Sequence, residues 1–267
     1  MNNENKSIHE FDFNLICEYF SSMKRQGPGS TESTIKALSF IDSLTESSKI
    51  ADLGCGTGEQ SMVLAQHTPC QITGIDIFSQ FIDLYNRNAA KINVEQRVKG
   101  ITGSMDNLFF GEEELDLIWS EGSIYNIGFI NGINYWKRFL KEGGYLAISE
   151  ASWFTEERPD EINEFWLEAY PEIDTISNKI MQLQHAGYTP IAHFILPENC
   201  WIENFYILQE KAQQSFLAKY PNNEAALKLI EYQKNEAVLY NKYKKFYGYV
   251  FYIAKKESPQ VNYLEIK

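Results

Sequence analysis

The chain has 267 residues, 44% of them hydrophobic and 14% aromatic, with 24 Lys and Arg against 36 Asp and Glu and a formal net charge of −12. That composition supports a full core, in one large α/β domain or two small ones, and argues against a disordered chain. A polyanion-binding surface needs clustered Lys and Arg, so no nucleic acid is expected as a partner. No run approaches the ~18 uncharged apolar residues of a membrane span, and no apolar signal region follows the polar Met1–Lys6. The expectation is a cytoplasmic protein with no integral membrane contact. Cys17, Cys55, Cys70 and Cys200 are scattered, with no Cys-x-x-Cys pair. Reduced thiols are expected there, with no disulfide framework and no metal.

Taken in order, residues from about 8 to 25 have the spacing of an amphipathic helix, through Ile8, Phe11, Leu15, Ile16, Tyr19 and Phe20. Gln26-Gly27-Pro28-Gly29 breaks it, and Ser30 or Thr31 can cap a second helix through Ile35, Leu38 and Ile41. From residue 50 the pattern alternates. Strands fit 50–54, Gln71–Ile77, Arg97–Ile101, Leu115–Ser120 and Tyr145–Glu150. Helices fit about 59–67, Ser79–Ala90 and Tyr135–Leu140, the last broken by Gly143-Gly144. Strands alternating with helices predict a parallel sheet covered on both faces. Beyond 151 the rhythm changes to helices around Ile162–Leu167, Thr175–Ala186 and most of 201–245, with strands at His193–Pro197 and Tyr247–Ala254. Aromatic residues crowd this half, as a core or a ring-lined pocket would require.

The most informative stretch is Lys49-Ile50-Ala51-Asp52-Leu53-Gly54-Cys55-Gly56-Thr57-Gly58-Glu59. A buried strand ends in glycines at the mouth of a helix, so a ligand can approach the main chain and its unpaired N–H groups. Asp76 ends the next strand, near the ~20-residue separation of a carboxylate that grips ribose hydroxyls. The third glycine comes one position earlier than in the dinucleotide fingerprint, and Asp52 precedes the first. A carboxylate there suits a cationic ammonium group rather than a pyrophosphate. S-adenosylmethionine carries a ribose, an adenine, an α-amino group and no phosphate.

Ile50–Gly58 resembles motif I of the class I S-adenosylmethionine-dependent methyltransferases, and Gly74-Ile75-Asp76-Ile77 resembles the family's second motif. Gly103–Phe110 is similar to the loop that encloses adenine, Glu114–Gly122 to the fourth strand and its outlet, and Leu140–Leu146 to the turn before the fifth. The small-molecule branch that includes the ubiquinone/menaquinone-biosynthesis methyltransferases is the most similar. The resemblance implies a Rossmann-like, seven-stranded, mostly parallel sheet flanked by helices, with the last strand antiparallel and helical capping segments. It implies one methyltransferase domain over 1–267: an N-terminal helical cap (1–48), a cofactor core (49–155), then capping helices and the last two strands (156–267).

It also implies roles. Asp52, Gly54 and Gly56 face the methionine part of the cofactor. Asp76 binds the ribose hydroxyls and Ile77 packs on adenine. Ser104 and Met105 border the adenine edge, and Ser120 contacts the methionine end. Ser104 stands where that branch usually has an acid, with Asp106 as a substitute. As a lid, the first helix would lay Tyr19 and Phe20 over the cofactor. Glu121 and Tyr125 are the candidates to position a small, partly apolar acceptor. His193 is placed to face a pocket, and His185 sits beside a helix-closing glycine. The expected reaction is methyl transfer, by a monomer or homodimer. The alternatives are an NAD(P)-dependent oxidoreductase and a non-catalytic S-adenosylmethionine-binding protein.

Overall fold

The computed structural model describes residues 11–257. Strands β1 (Lys49–Leu53), β2 (Gln71–Asp76), β3 (Val98–Thr102), β4 (Leu115–Glu121) and β5 (Leu140–Trp153) are all parallel. They share one sheet with β7 (Tyr188–Ile195) and β8 (Tyr247–Lys256), in the order β3-β2-β1-β4-β5-β8-β7. Strand β8 lies antiparallel between β5 and β7, as expected for the last strand. A two-residue strand β6 (Asp174–Thr175) also pairs with β5. The Rossmann-like, mostly parallel sheet is therefore observed, and its last two strands come from the C-terminal third of the chain.

The central strands are buried on both faces and mostly hydrophobic, the expected pattern for parallel strands covered by helices. Ile50, Leu117, Trp119, Ala147 and Phe251 point into one core. It is closed by α3 (Glu59–His67), α4 (Ser79–Lys91) and the capping helices. Ala51, Leu53, Ile118, Ile148 and Val250 point into the other, against α5 (Phe129–Trp136) and α7 (Ile176–His185).

The caps are α1 (Phe13–Ser21), α2 (Thr31–Leu38), α6 (Asp160–Ala169), α8 (Ile207–Lys219) and α9 (Glu224–Tyr243). Asp12 caps α1 by accepting from the Asn14 and Leu15 N–H groups, and Ser30 caps α2 through the Ser33 N–H. The helix expected over 8–25 is thus Phe13–Ser21, and its residues 8–10 lie outside those described.

One element differs in kind. The helix expected over Tyr135–Leu140 is the end of α5 at Trp136 continued by a 3₁₀ turn over Lys137–Phe139, and Leu140 already pairs with Leu115. Gly143 and Gly144 therefore lie inside β5, where a register shift absorbs the left-handed Gly143 (φ 69°) rather than ending a helix. The helical stretch from 201 opens with a π-helical turn over Ile202–Tyr206 and breaks between α8 and α9. No helix among the described residues is long and apolar enough to cross a membrane.

Candidate functional site

The chain leaves β1 through Gly54 (φ 70°) and Gly56 (φ 55°), left-handed conformations that glycine adopts without a Cβ penalty. The N–H groups of Gly54 and Cys55 both donate to the Ile75 carbonyl at 2.8 and 3.1 Å, locking the loop to the end of β2. The Asp76 carboxylate lies across it. One oxygen accepts the Gly56 N–H at 2.9 Å and the other the Phe78 N–H at 3.0 Å. Burial raises the Asp76 carboxyl pKa, against the lowering effect of these two amides.

A cavity of about 370 Å³ opens over this loop, lined by Gly54, Gly56, Asp76, Ile77, Ser104 and Met105 among others. Six of the nine expected cofactor residues are therefore brought together. Ile77 presents an exposed apolar side chain, and the Ser104 hydroxyl bonds the Asp106 carboxylate beside it. The Trp136 indole N–H anchors the facing loop through the Met105 carbonyl at 2.8 Å. The cavity suits S-adenosylmethionine chemically: a carboxylate with a free lone pair on each oxygen, an apolar shelf and exposed main chain. A side chain at Gly54 would intrude into it.

Three expected cofactor residues are placed elsewhere. Tyr19 is buried on the far side of α1, its hydroxyl donating to Gln209 at 2.8 Å and its ring edge-on to Phe216. Its neighbours Ile16 and Phe20 line the cavity instead. Asp52 lies behind the loop, accepting from Ser61 Oγ at 2.6 Å and Gln60 Nε2 at 3.3 Å, so it does not meet a ligand ammonium. Ser120 is buried with its hydroxyl on the Leu53 carbonyl, and Ser123, three residues on, reaches the cavity. His185 and His193 are exposed, and neither lines this cavity.

Glu121 lines the cavity with three hydrogen bonds already made. It accepts Arg25 Nη1 at 2.8 Å on one oxygen, and Thr34 Oγ1 at 2.7 Å and Trp119 Nε1 at 3.0 Å on the other. It serves as a post that pins the segment between α1 and α2 across the site. Gln26 of that segment adds a second pin, accepting the Thr57 N–H at 2.9 Å and donating to the Phe20 and Met23 carbonyls. The Arg25 and Glu121 side chains are only 9% and 5% exposed. Arg25→Met would leave a buried, unpaired carboxylate, and is expected to lower stability by about 3–5 kcal/mol. A urea midpoint within error of the native protein would refute the pin.

Beyond Tyr125 lies a second chamber of about 100 Å³. It shares Phe20, Gln26, Gly27, Pro28, Gly122 and Tyr125 with the first, so the two adjoin. Its walls include Phe165 and Trp166 on α6, Trp201 and Phe205, Tyr232 on α9 and Tyr249 on β8. Burial pushes the Tyr125 hydroxyl up to about 12, reinforced by the Glu236 and Glu150 carboxylates. Among the described residues no group of three or more His, Cys, Asp or Glu side chains could hold a metal ion.

Three carboxyls near these cavities are pushed up to about 7 by burial: Asp52, Glu150 and Glu236. The Lys179 charge and then the Tyr170 hydroxyl partly offset the burial of Glu150. Each group holds its proton in the folded state at pH values where the unfolded chain has lost it. Their contribution is therefore fully present below the ordinary carboxylate range and is lost as pH rises from about 4 to about 7. Lys179, depressed by burial, acts in the opposite direction only above its own folded pKa. Urea unfolding is expected to show higher stability at pH 5.5 than at pH 7.5, by roughly 2 kcal/mol per group. A rise over that interval would contradict the protonated burial.

Residues 50–144 match a family model described as a methyltransferase domain. The sterol 24-C-methyltransferase of Candida albicans is 22% identical over 177 residues, 61% of this chain and 46% of that protein. The phosphoethanolamine N-methyltransferase of Plasmodium falciparum is 31% identical over 152 residues, 55% of this chain and 52% of that protein. The chain thus spans about half the length, or less, of these curated relatives. Over the whole fold, the solved structure of Escherichia coli YjhP superposes with a TM-score of 0.80 at 19% identity, covering 92% of this chain and 100% of that one. An S-adenosylmethionine-dependent methyltransferase of Geobacter sulfurreducens, solved with S-adenosylhomocysteine, gives 0.79 at 17% identity, covering 91% and 98%. Residues 50–144, which carry the glycine cradle and strands β1–β4, are thus similar to a methyltransferase domain, and they sit in a sheet of Rossmann-like order. The relatives act on different acceptors and do not single out the ubiquinone-type branch.

Proposed function

We propose that this protein transfers the methyl group of S-adenosylmethionine to a small acceptor with an apolar, ring-contacting part. The observation that carries this reading is the adjoining pair of cavities, a glycine-and-carboxylate cradle opening past Tyr125 onto an aromatic chamber. When bound, S-adenosylmethionine supplies an activated methyl group whose leaving group is a neutral thioether.

Asp76 would hold the ribose, since each of its oxygens keeps a lone pair beyond the amide it already accepts. Ile77, Ser104 and Met105 would receive the adenine, and Gly54 and Gly56 the methionine part. Residues 20–29, fixed by Gln26 and Arg25, would exclude water from the junction, so that alignment and a dry site account for most of the acceleration. Tyr125 would orient the acceptor; Glu121 would act by holding the cover in place. In this reading residues 1–48 and 156–267 cap a single methyltransferase domain. The sterol and phosphoethanolamine relatives support a small-molecule acceptor, and so does the size of the chamber.

The test is a metabolite screen with methyl-labelled S-adenosylmethionine, preceded by calorimetry with the unlabelled cofactor. Cofactor binding and label appearing in a small molecule are expected. Failure of the cofactor to bind would overturn the reading.

A further inference from the structure

Among the described residues, the aromatic chamber holds one carboxyl group, Glu236, with no cationic side chain paired to it. On α9, Tyr232, Gln233 and Glu236 share one side of the helix and line the chamber together. Glu236 Oε1 accepts the Tyr206 hydroxyl at 3.0 Å. Among the described residues nothing donates to Oε2, and no Lys, Arg or His makes an ion pair with Glu236. The neighbouring buried acid, Glu150, has Lys179 close enough to favour its charge. Glu236 has only the tyrosine.

Around it stand aromatic faces at several angles. Phe165 and Trp166 meet at 84°, and Trp201 meets Tyr249 at 70° while stacking on Tyr240 behind it, so rings in several orientations border the chamber. Tyr232 lies nearly parallel to Phe165 and closes the α9 side. Such an enclosure attracts a cation through the ring quadrupoles, and the attraction strengthens when water is excluded. A largely desolvated carboxylate without a counter-charge is costly, and a bound cation would offset that cost. Purely apolar acceptors, by contrast, would leave the carboxylate uncompensated.

We propose that the chamber around Glu236 is an acceptor site for an alkylated amine, with the ammonium form of product or substrate held between Glu236 and the rings of Trp166, Trp201, Tyr232 and Tyr249. The inference rests on the methyl-transfer reading above and names its substrate class. A tertiary amine would use its nitrogen lone pair to form the new N–C bond. The C–S bond breaks with its electron pair staying on the departing thioether. From the free amine no proton has to leave, and the positive charge moves from sulfur to the nitrogen that the rings and Glu236 surround; an amine bound in its ammonium form first gives its proton to the Glu236 carboxylate. A secondary amine would end with an N–H proton on the new ammonium, which the carboxylate can accept. Burial pushes the Glu236 carboxyl up to about 7, so near neutral pH it can exist as the carboxylate that pairs with a bound cation.

The test uses the whole chain loaded with S-adenosylhomocysteine. Binding of tetramethylammonium, choline and N,N-dimethylethanolamine is measured by calorimetry beside 3,3-dimethyl-1-butanol, the uncharged carbon isostere of choline. Choline is expected to bind at least tenfold more tightly than the isostere. Glu236→Gln is expected to remove most of that preference while the cofactor dissociation constant moves less than twofold. Tyr232→Phe, which keeps the ring face, is expected to retain the preference. With labelled S-adenosylmethionine, N,N-dimethylethanolamine is expected to yield labelled choline.

Equal or tighter binding of the isostere would overturn the proposal. So would the absence of binding by all three amines while the cofactor binds normally, and so would an unchanged preference in Glu236→Gln. Should that variant fail to fold, the isostere comparison on the native chain decides alone. Failure of the cofactor itself to bind would strike the underlying methyl-transfer reading instead, so the two failures are distinguishable.

Discussion

Replacing Gly54 by valine is expected to abolish S-adenosylmethionine binding. At φ 70° an L-residue pays a backbone penalty, and a β-branched one pays most, on the order of 1–3 kcal/mol. The added Cβ would stand 2.4 Å from both Cβ and Oγ of Ser123 and 2.9 Å from Met105 Cε. Ser123 cannot yield cheaply. Its hydroxyl donates to the Leu53 carbonyl at 2.8 Å and bonds Ser120 at 2.7 Å, tying the end of β4 to the end of β1. Valine would therefore both fill the cradle and pry apart the two strand ends that form it. Calorimetry should show at least a 100-fold loss of affinity, about 2.7 kcal/mol, and urea unfolding a loss of about 2–3 kcal/mol of stability. Gly54→Ala, with one carbon instead of three, is expected to fall between the two. Native affinity in the valine variant would remove residues 54–58 from the site.

The cradle was legible because its elements are local: a strand, three glycines and a helix start within ten residues, and the Asp76 carboxylate that bonds the loop ends the very next strand. What failed was the direction of individual side chains. Ile50 and Asp52 alternate with Ala51 and Leu53 across β1, and α3 covers the side that Asp52 faces. Ser61 and Gln60 of that helix reach the carboxylate before any ligand could. Tyr19 and Phe20 belong to one apolar stretch of α1, and periodicity marks both as buried. It does not say that α1 is packed on two sides, with Ile16 and Phe20 toward the cavity and Tyr19 toward α8. Ser120 was one turn short, because Ser123 reaches the cavity through an irregular turn with no sequence signature. Glu121 was placed correctly, but its partners Arg25 and Thr34 lie about ninety residues earlier, so its role as a post could not be read. Crowding of aromatic residues was plain after residue 151. Their convergence on Glu236 was not, since that residue sits in Glu231–Glu236, a run that reads as the solvated face of a helix.

Asp76→Ala should weaken S-adenosylmethionine binding by about 100-fold. Two charge-assisted hydrogen bonds to ribose hydroxyls contribute roughly 1.5–3 kcal/mol each before the cost of ordering, which sets the scale. The same carboxylate also anchors the Gly56 and Phe78 amides, so the variant should lose roughly 1–2 kcal/mol of stability as well. Asp76→Asn separates the two contributions, because its amide oxygen still accepts while the charge is gone. About a tenfold loss of affinity is expected there, with most of the stability kept. The pH dependence is a sharper test. Burial raises the Asp76 pKa in the free protein, whereas ligand hydroxyls donate to the carboxylate form. Binding therefore releases a proton whenever the free group is protonated. Affinity should fall as pH drops through the raised pKa and level off above it. Calorimetry in buffers of different ionisation enthalpy would detect that proton, and Asp76→Asn should not release it. A native protein whose cofactor affinity does not fall on acidification while it stays folded, with Asp76→Asn indistinguishable from it, would mean that Asp76 supports the loop and leaves the ribose to another group.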